Sequence, residues 1–293
     1  MRRRDLMRRG WLLLRYAALL LLAVVAVFPF LWALLIAVSA QGTDAAALYG
    51  GANSPFTRPG TGVMLAGLQA QLDRFHFTPF WLLRVFDAMP FTDYLGNSLQ
   101  LALETVAGVL LLSIPCGYAL AQHDFAGKRW LFLALMATLM LPMEVNLVPN
   151  FITSARLGLL DTHAAAVLPN IAAALGVFIM RQAFLQLPGE MLDAARVDGA
   201  SEWQLLWRIA MPLTLPAVST LAIFSFVLAW NDYLWPAVVL SDRAKLPLAV
   251  GIFNDLTGPF ATSANLAMAA VVLAIVPVLA GFALTQRLFF RLN

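Results

Sequence analysis

Apolar residues fall along this chain in long uninterrupted runs, not in the alternating or short amphipathic patterns of a soluble domain. The first covers 11–40 with Arg15 as its one charge, and further runs cover about 94–121, 130–148, 163–184, 213–234 and 265–288. A helix rises about 1.5 Å per residue, so about 20 apolar residues cross a bilayer. The pattern predicts six membrane-spanning helices, the first at about 16–39. Pro115 should kink the second, Pro142 should interrupt the third, and Pro169-Asn170 crosses the fourth.

The start of the chain, MRRRDLMRRG before an apolar run, resembles a signal peptide, and Val38-Ser39-Ala40 offers small residues for cleavage. The run is about twice the usual 7–15 residue apolar core, so it reads as an uncleaved first span. Residues 1–15 are then an N-terminal segment and 16–293 a single transmembrane domain.

Three of the five intervals between the spans are long. The longest, 41–93, carries the aromatic group Phe75, Phe77, Phe80, Trp81 and Phe86, which suits a short helix at the membrane interface. Another covers 241–262. The most patterned is 187–216, which predicts two short helices, 188–198 and 202–211. Pro188 suits a first helical position, Gly199 a residue just past a helix end, Ser201 with Gln204 a capping box, and Pro212 the end of the second helix. Met191, Leu192, Ala194, Ala195, Trp203, Leu206 and Trp207 make this loop too apolar to stand in water, so a partner should cover some of them.

Composition agrees: 61% of the residues are hydrophobic and 12% charged. The one cysteine, Cys116, excludes an internal disulfide and a cysteine metal cluster, and His163 has no second histidine near it in sequence. The net charge of +3 sits at span ends, as membrane topology requires, and implies no nucleic acid. The terminal segments and the loops after spans two and four hold Arg2, Arg3, Arg4, Arg8, Arg9, Lys128, Arg129, Arg181, Arg196, Arg208, Arg287 and Arg291. The other side holds Arg58, Arg74, Arg84, Arg156, Arg243 and Lys245 spread over more polar chain, which places both termini and the 187–216 loop in the cytoplasm. Gly127-Lys128-Arg129 lacks the glycine spacing and the Ser or Thr of a phosphate loop, so ATP hydrolysis, where required, belongs to another chain.

Polar groups inside spans are costly and face a bundle interior or an aqueous path. Glu104, Glu144, Asn146, Asn150, Asn170, Asn231 and Asp232 are such groups. Glu144 follows the Pro142 break and can accept sugar hydroxyls or bonds from neighbouring helices. Trp230-Asn231-Asp232-Tyr233 joins rings to an amide and a carboxylate, a mixture that suits polyols and equally suits interfacial anchoring with helix-end capping.

The loop also resembles a known family. Integral membrane permeases of binding-protein-dependent ABC importers carry Glu-Ala-Ala, three residues, Gly, nine residues, then Ile-x-Leu-Pro. Asp193-Ala194-Ala195, Gly199 and Ile209-Ala210-Met211-Pro212 keep every spacing, with Asp193 for Glu and Met211 for Leu. The stretch around Arg196 and the Trp230 to Pro236 segment resemble the carbohydrate-uptake branch, and the likeness covers about 97–284. The resemblance implies an all-α polytopic fold of the type I importer class with a two-helix coupling loop at about 187–212, in a bacterial or archaeal cytoplasmic membrane. It implies ATPase coupling through Glu190, Asp193, Ala194, Ala195, Arg196, Asp198, Gly199, Ile209 and Pro212, and a sugar path that can include Glu144, Asn150, Asn170, Trp230, Asn231, Asp232 and Tyr233. The implied partners are the lipid membrane, a second permease subunit, an extracytoplasmic solute-binding protein and a cytoplasmic ATPase dimer. ATP and Mg belong to that dimer, with no cofactor or catalytic residue on this chain. Met140 to Val145 also resembles permeases for glycerol phosphate esters, and a secondary transporter or scaffold needing no ATPase is the alternative from another class. Paired broken helices in inverted repeats would mark such a transporter, and the sequence shows no internal repeat.

Overall fold

The computed structural model describes residues 2–39, 78–257 and 263–290, and among these the structure is helical with no strand. Phe75, Phe77, Arg58, Arg74 and Arg291 lie outside the described residues. The helices, in chain order, are α1 (Arg2–Ala37), α2 (Phe80–Ala88), α3 (Phe91–Gln122), α4 (Lys128–Thr138), α5 (Met143–Arg156), α6 (His163–Ile171) and α7 (Ala174–Leu185). They continue with α8 (Gly189–Val197), α9 (Glu202–Leu213), α10 (Leu215–Asn231), α11 (Leu234–Val239), α12 (Leu248–Thr257) and α13 (Ala264–Phe290).

Three stretches are apolar and long enough to span a bilayer unbroken: Leu14–Ala37, Phe91–Gln122 and Ala264–Gly281. The expected fourth span is a pair of helices, α6 and α7, bent by 45° at 172–173, just after Pro169. The run read as the third span, 130–148, does not form one helix. It divides into α4, of 11 residues, and α5, of 14. Pro142 causes the break, since it donates no hydrogen bond and sits with φ −63 and ψ 142 in extended backbone. The second helix then continues to Arg156 instead of stopping near 147. Three to five spans among the described residues therefore stand where six were expected. Secondary structure is unbroken across residue 15, since α1 is one helix from Arg2.

The chain divides into two compact units, Met1–Met89 with Ile252–Val276, and Pro90–Gly251 with Pro277–Asn293. In the first, the end of α1 is pinned by side chains. The Asn265 amide donates to the Ile36 carbonyl at 3.0 Å and to Ser39 Oγ at 2.7 Å, and the Trp81 indole N–H donates to the Ser39 carbonyl at 3.0 Å. Trp81, read as an interfacial ring, thus has its polar end spent on the fold, while Phe80 and Phe86 stay exposed on α2.

The second unit is built on α3, against which α6, α7 and α10 pack. Gly117 permits the α3–α7 approach: a Cβ there would lie 2.9 Å from the backbone nitrogen of Arg181, so any larger residue would force the helices apart. The core of this unit joins Val109, Ile114 and Tyr118 of α3, Met180 and Phe184 of α7, Val218 and Leu221 of α10, and four residues of the polar interruption: Leu192, Leu205, Leu206 and Ala210. The loop is therefore part of the core.

Candidate functional site

Local chemistry shapes the loop. Pro188 precedes α8 as its cap, in extended backbone at ψ 119, and the helix starts at Gly189, one residue later than expected. At the other end Gly199 has φ 85, its N–H donates to Arg196 and the Ala200 N–H donates to Ala195, the two bonds that close a helix through a left-handed residue. The Ser201 N–H donates to Gln204 Oε1 at 2.8 Å and the Gln204 N–H to Ser201 Oγ at 3.3 Å, completing the capping box. The second helix, expected at 202–211, reaches Leu213 and contains π turns over Leu205–Ala210. The Met211 N–H there donates five residues back to Leu206. These wide turns sit just before Pro212, which has no N–H to continue the ladder. At Thr214, whose hydroxyl donates to Ala210 at 3.0 Å, the chain turns by 80° into α10.

Leu192 and Leu206, which the sequence left for a partner to cover, are buried by this chain's own α3, α7 and α10. Taking one such leucine from water is worth about 1.5–3 kcal/mol, so α8 and α9 are firmly seated. Trp203 and Val197 stay exposed, at 65% and 87%. Among the expected coupling residues, Glu190, Asp193, Ala194, Asp198, Gly199 and Pro212 are exposed, and Ala195, Arg196 and Ile209 are half-buried.

Arg196 sits between two carboxylates, donating to Asp193 Oδ1 at 2.8 Å and from Nε to Glu202 Oε1 at 3.0 Å. The other oxygen of Glu202 accepts the Tyr118 hydroxyl at 3.0 Å and lies 3.5 Å from His123 Nε2. Burial pushes the Glu202 carboxyl up, but the hydrogen bonds from Arg196 and Tyr118 outweigh it and hold the group below the usual glutamate range. The same Glu202 bond raises Arg196 further above its ordinary value. Asp193 is thus engaged by its own chain while its side chain stays 71% exposed. Sequence reading used Glu202 only as a helix start. Its partner Tyr118 is 84 positions away, and no local signal joins them.

A cavity of about 190 Å³ lies within the second unit, lined by Glu144, Leu147, Asn150, Pro169, Asn170, Asp232, Leu234 and Trp235. Four of the expected path residues, Glu144, Asn150, Asn170 and Asp232, are brought together there from α5, α6 and the end of α10. Trp230, Asn231 and Tyr233 do not line it. Trp230 is buried and stacks on Phe226 at 5.6 Å, Asn231 is exposed with its amide donating to Val227, and Tyr233 precedes α11. The ring at the cavity belongs to Trp235, whose indole N–H is fixed on the Ala165 carbonyl at 2.9 Å. Its backbone N–H donates to Asp232 Oδ1 at 3.4 Å. Glu104 is held elsewhere, accepting from Gln100 at 2.8 Å with His163 Nδ1 at 4.0 Å.

A further junction escaped the sequence altogether. Asp161, in left-handed backbone at φ 60, accepts the N–H groups of Ser241 and Asp242, both at 2.9 Å, and Lys245 Nζ at 3.0 Å. The Asp242 N–H, the lysine and the Ser241 N–H together hold its carboxyl down at about 2. This clamp ties the connection before α6 to the one after α11.

Comparison with known proteins agrees with this architecture. The family described as binding-protein-dependent transport system inner membrane component matches residues 113–292. The chain is 36% identical to the arabinooligosaccharides transport system permease protein AraQ of Halalkalibacterium halodurans, over 79% of this chain and 83% of that one. It is 35% identical to the sn-glycerol-3-phosphate transport system permease protein UgpE of Yersinia enterocolitica, over 70% and 73%. Among solved structures, a bacterial ABC transporter involved in import of the acidic polysaccharide alginate superposes with a TM-score of 0.75 at 23% identity, covering 95% of this chain and 96% of that one. Permeases of this kind are transport subunits and not enzymes, with the ATPase on a separate chain. With the family matching more than half of its length, this chain belongs to the inner membrane permease components of binding-protein-dependent transport systems.

Proposed function

We propose that this chain is a membrane-spanning subunit of an ATP-driven importer for a neutral sugar or oligosaccharide. The observation that carries the substrate class is the cavity lining: two carboxylates, two amides and one indole, with no lysine or arginine among the described residues that line it. A polyol needs acceptors and donors for its hydroxyls and a ring for its C–H face, whereas a phosphate ester entering the membrane favours a cation beside its path. The arabinooligosaccharide relative supports the sugar reading. The glycerol-3-phosphate relative supports a second reading, a permease for glycerol phosphate esters, with a partner permease supplying the cation.

Transport is by alternating access. A cytoplasmic ATPase dimer, holding ATP and Mg, engages Glu190, Asp193, Ala194, Ala195, Asp198 and Gly199 on the exposed side of the loop. Arg196, Ile209 and Pro212 carry the motion inward, and α10 tilts with it. The remaining partners are a second permease subunit and an extracytoplasmic solute-binding protein, with both termini in the cytoplasm of a bacterial or archaeal cell and the whole of 16–293 acting as one domain. Trp230, Asn231 and Tyr233 anchor the outer end of α10, and Glu144, Asn150, Asn170 and Asp232 meet the solute.

The test is ATPase activity of the reconstituted complex with its binding protein across a panel of neutral sugars and glycerophosphodiesters. Stimulation by a neutral sugar is expected. Stimulation by phosphodiesters alone would overturn the sugar assignment and leave the importer mechanism standing.

A further inference from the structure

A second, larger cavity, of about 540 Å³, opens between the turn after α3, the first turn of α4 and the last turns of α7. Lys128, Arg129 and Arg181 line it together with Asp124, Phe125, Gly127, Trp130 and Phe132, so its charge is two cations in excess. It lies at the same end of the second unit as the coupling loop, because His123, beside it in sequence, reaches Glu202 at 3.5 Å. On the orientation proposed above, that end lies at the cytoplasmic membrane surface.

The cations are not equally engaged. Lys128 Nζ donates to the His123 carbonyl at 2.8 Å and to Asp124 at 3.2 Å. Arg181 is held by Nε on the Leu120 carbonyl at 3.2 Å, with its guanidinium 4.3 Å from the centre of the Phe132 ring. Those contacts fix the head and leave its two terminal nitrogens with no acceptor among the described residues. Arg181 lies four residues short of the end of α7, about 6 Å along its axis, close enough for its side chain to reach a membrane interface at that end. Arg129 has no side-chain partner among the described residues. Trp130, 74% exposed, and Phe125 flank the opening, as rings do at headgroup level. The first turn of α4 contributes its N-terminal dipole to the same space.

We infer that this cavity binds the phosphate headgroup of an anionic membrane lipid, with the Arg181 and Arg129 guanidinium groups on the phosphate and Trp130 against the glycerol and upper acyl chain. Two cations facing one phosphodiester from different helices, beside an exposed indole, match a headgroup better than a solute in water, which has no apolar part for Trp130 to meet. The site needs the membrane reading of the chain and is independent of the sugar assignment.

The complex with its partner subunits, held in nanodiscs of equal parts phosphatidylcholine and phosphatidylglycerol, is released into the gas phase and its retained lipids weighed. Phosphatidylglycerol should be retained in preference. Each of Arg181→Gln and Arg129→Gln should lower its ratio to phosphatidylcholine about five-fold, the value of one cation at an anionic surface, while Arg129→Lys keeps most of it. Arg129 is exposed, so its variant assembles even where Arg181→Gln does not. An unchanged ratio in Arg129→Gln overturns the site. Inorganic phosphate held by the complex in pure phosphatidylcholine discs, and lost in Arg129→Gln, would instead make it a site for a soluble anion and overturn the lipid assignment.

Discussion

Arg196 and Glu202 meet at 3.0 Å across the turn at Gly199, so the two helices of the coupling loop are cross-linked by an ion pair that also reaches α3 through Tyr118. The pair is part exposed, with 34% and 47% of the side chains accessible, and solvent screens it. Its worth is therefore in geometry more than in stability. In a double-mutant cycle of Arg196→Gln and Glu202→Gln, substrate-stimulated ATPase activity should show a coupling energy of about 0.2–1 kcal/mol, and strict additivity would mean the pair transmits nothing. Since the folded state depresses the Glu202 value, the stabilisation is fully present above the ordinary glutamate value of about 4.3 and is lost as pH falls through the folded value. The melting-temperature gap between wild type and Glu202→Gln should close as pH falls below the ordinary glutamate value of about 4.3.

Gly199 offers a cleaner separation of cause. No heavy atom lies within 4 Å of where its Cβ would be, so a side chain there meets no clash and the whole cost comes from φ 85. Gly199→Val should incur about 1–3 kcal/mol of backbone strain and abolish stimulated ATPase activity. Gly199→Asn, which tolerates left-handed backbone, should retain most of it. Equal loss in both would place the effect in partner contact instead of conformation.

At the smaller cavity, Glu144→Gln and Asp232→Asn keep shape and remove charge. Each should reduce uptake of the transported neutral oligosaccharide by about ten- to a hundred-fold, the worth of one hydrogen bond to a charged group. Co-purification of the partner subunits should be unchanged, because the asparagine still offers Trp235 an acceptor. Normal transport in both variants would remove the cavity from the path.

Orientation is open to labelling. In a Cys116→Ser background, Val197→Cys should resist an impermeant maleimide applied outside the cell, and Gly60→Cys should react. The reverse pattern would invert the assignment of both termini to the cytoplasm.

How much of this was written in the sequence depends on the range of the interaction. The Gly199 turn and the Ser201–Gln204 box are local, a few residues deciding their own hydrogen bonds, and both were legible. The break at Pro142 was legible for the same reason. Where α5 ends was not, because the run lost its apolar character at 148 while the helix continued to Arg156. Leu192 and Leu206 announced an apolar face, but hydropathy carries no record of which chain covers it. That Trp235 lines the cavity and Trp230 does not follows from the extended backbone of Asp232, at ψ 115, which breaks the helix between them and redirects the second ring. Glu202 and Asp161 were invisible because each is defined by groups on other segments, brought near only by folding.

The 80° corner at Thr214 makes α9 and α10 the two arms of a bell crank. On the coupling proposed above, a push delivered along α9 would reach α10 crosswise, swinging that helix and not sliding it. The 17 residues of α10 make the second arm roughly 25 Å long, and a swing of about 10° about the corner carries its far end about 4 Å. Asp232 sits at that far end. On the proposed coupling, a small stroke at the loop would become a displacement larger than a hydrogen bond at the one carboxylate of the cavity that rides on this arm, enough to make or release a hold on a hydroxyl in a single stroke.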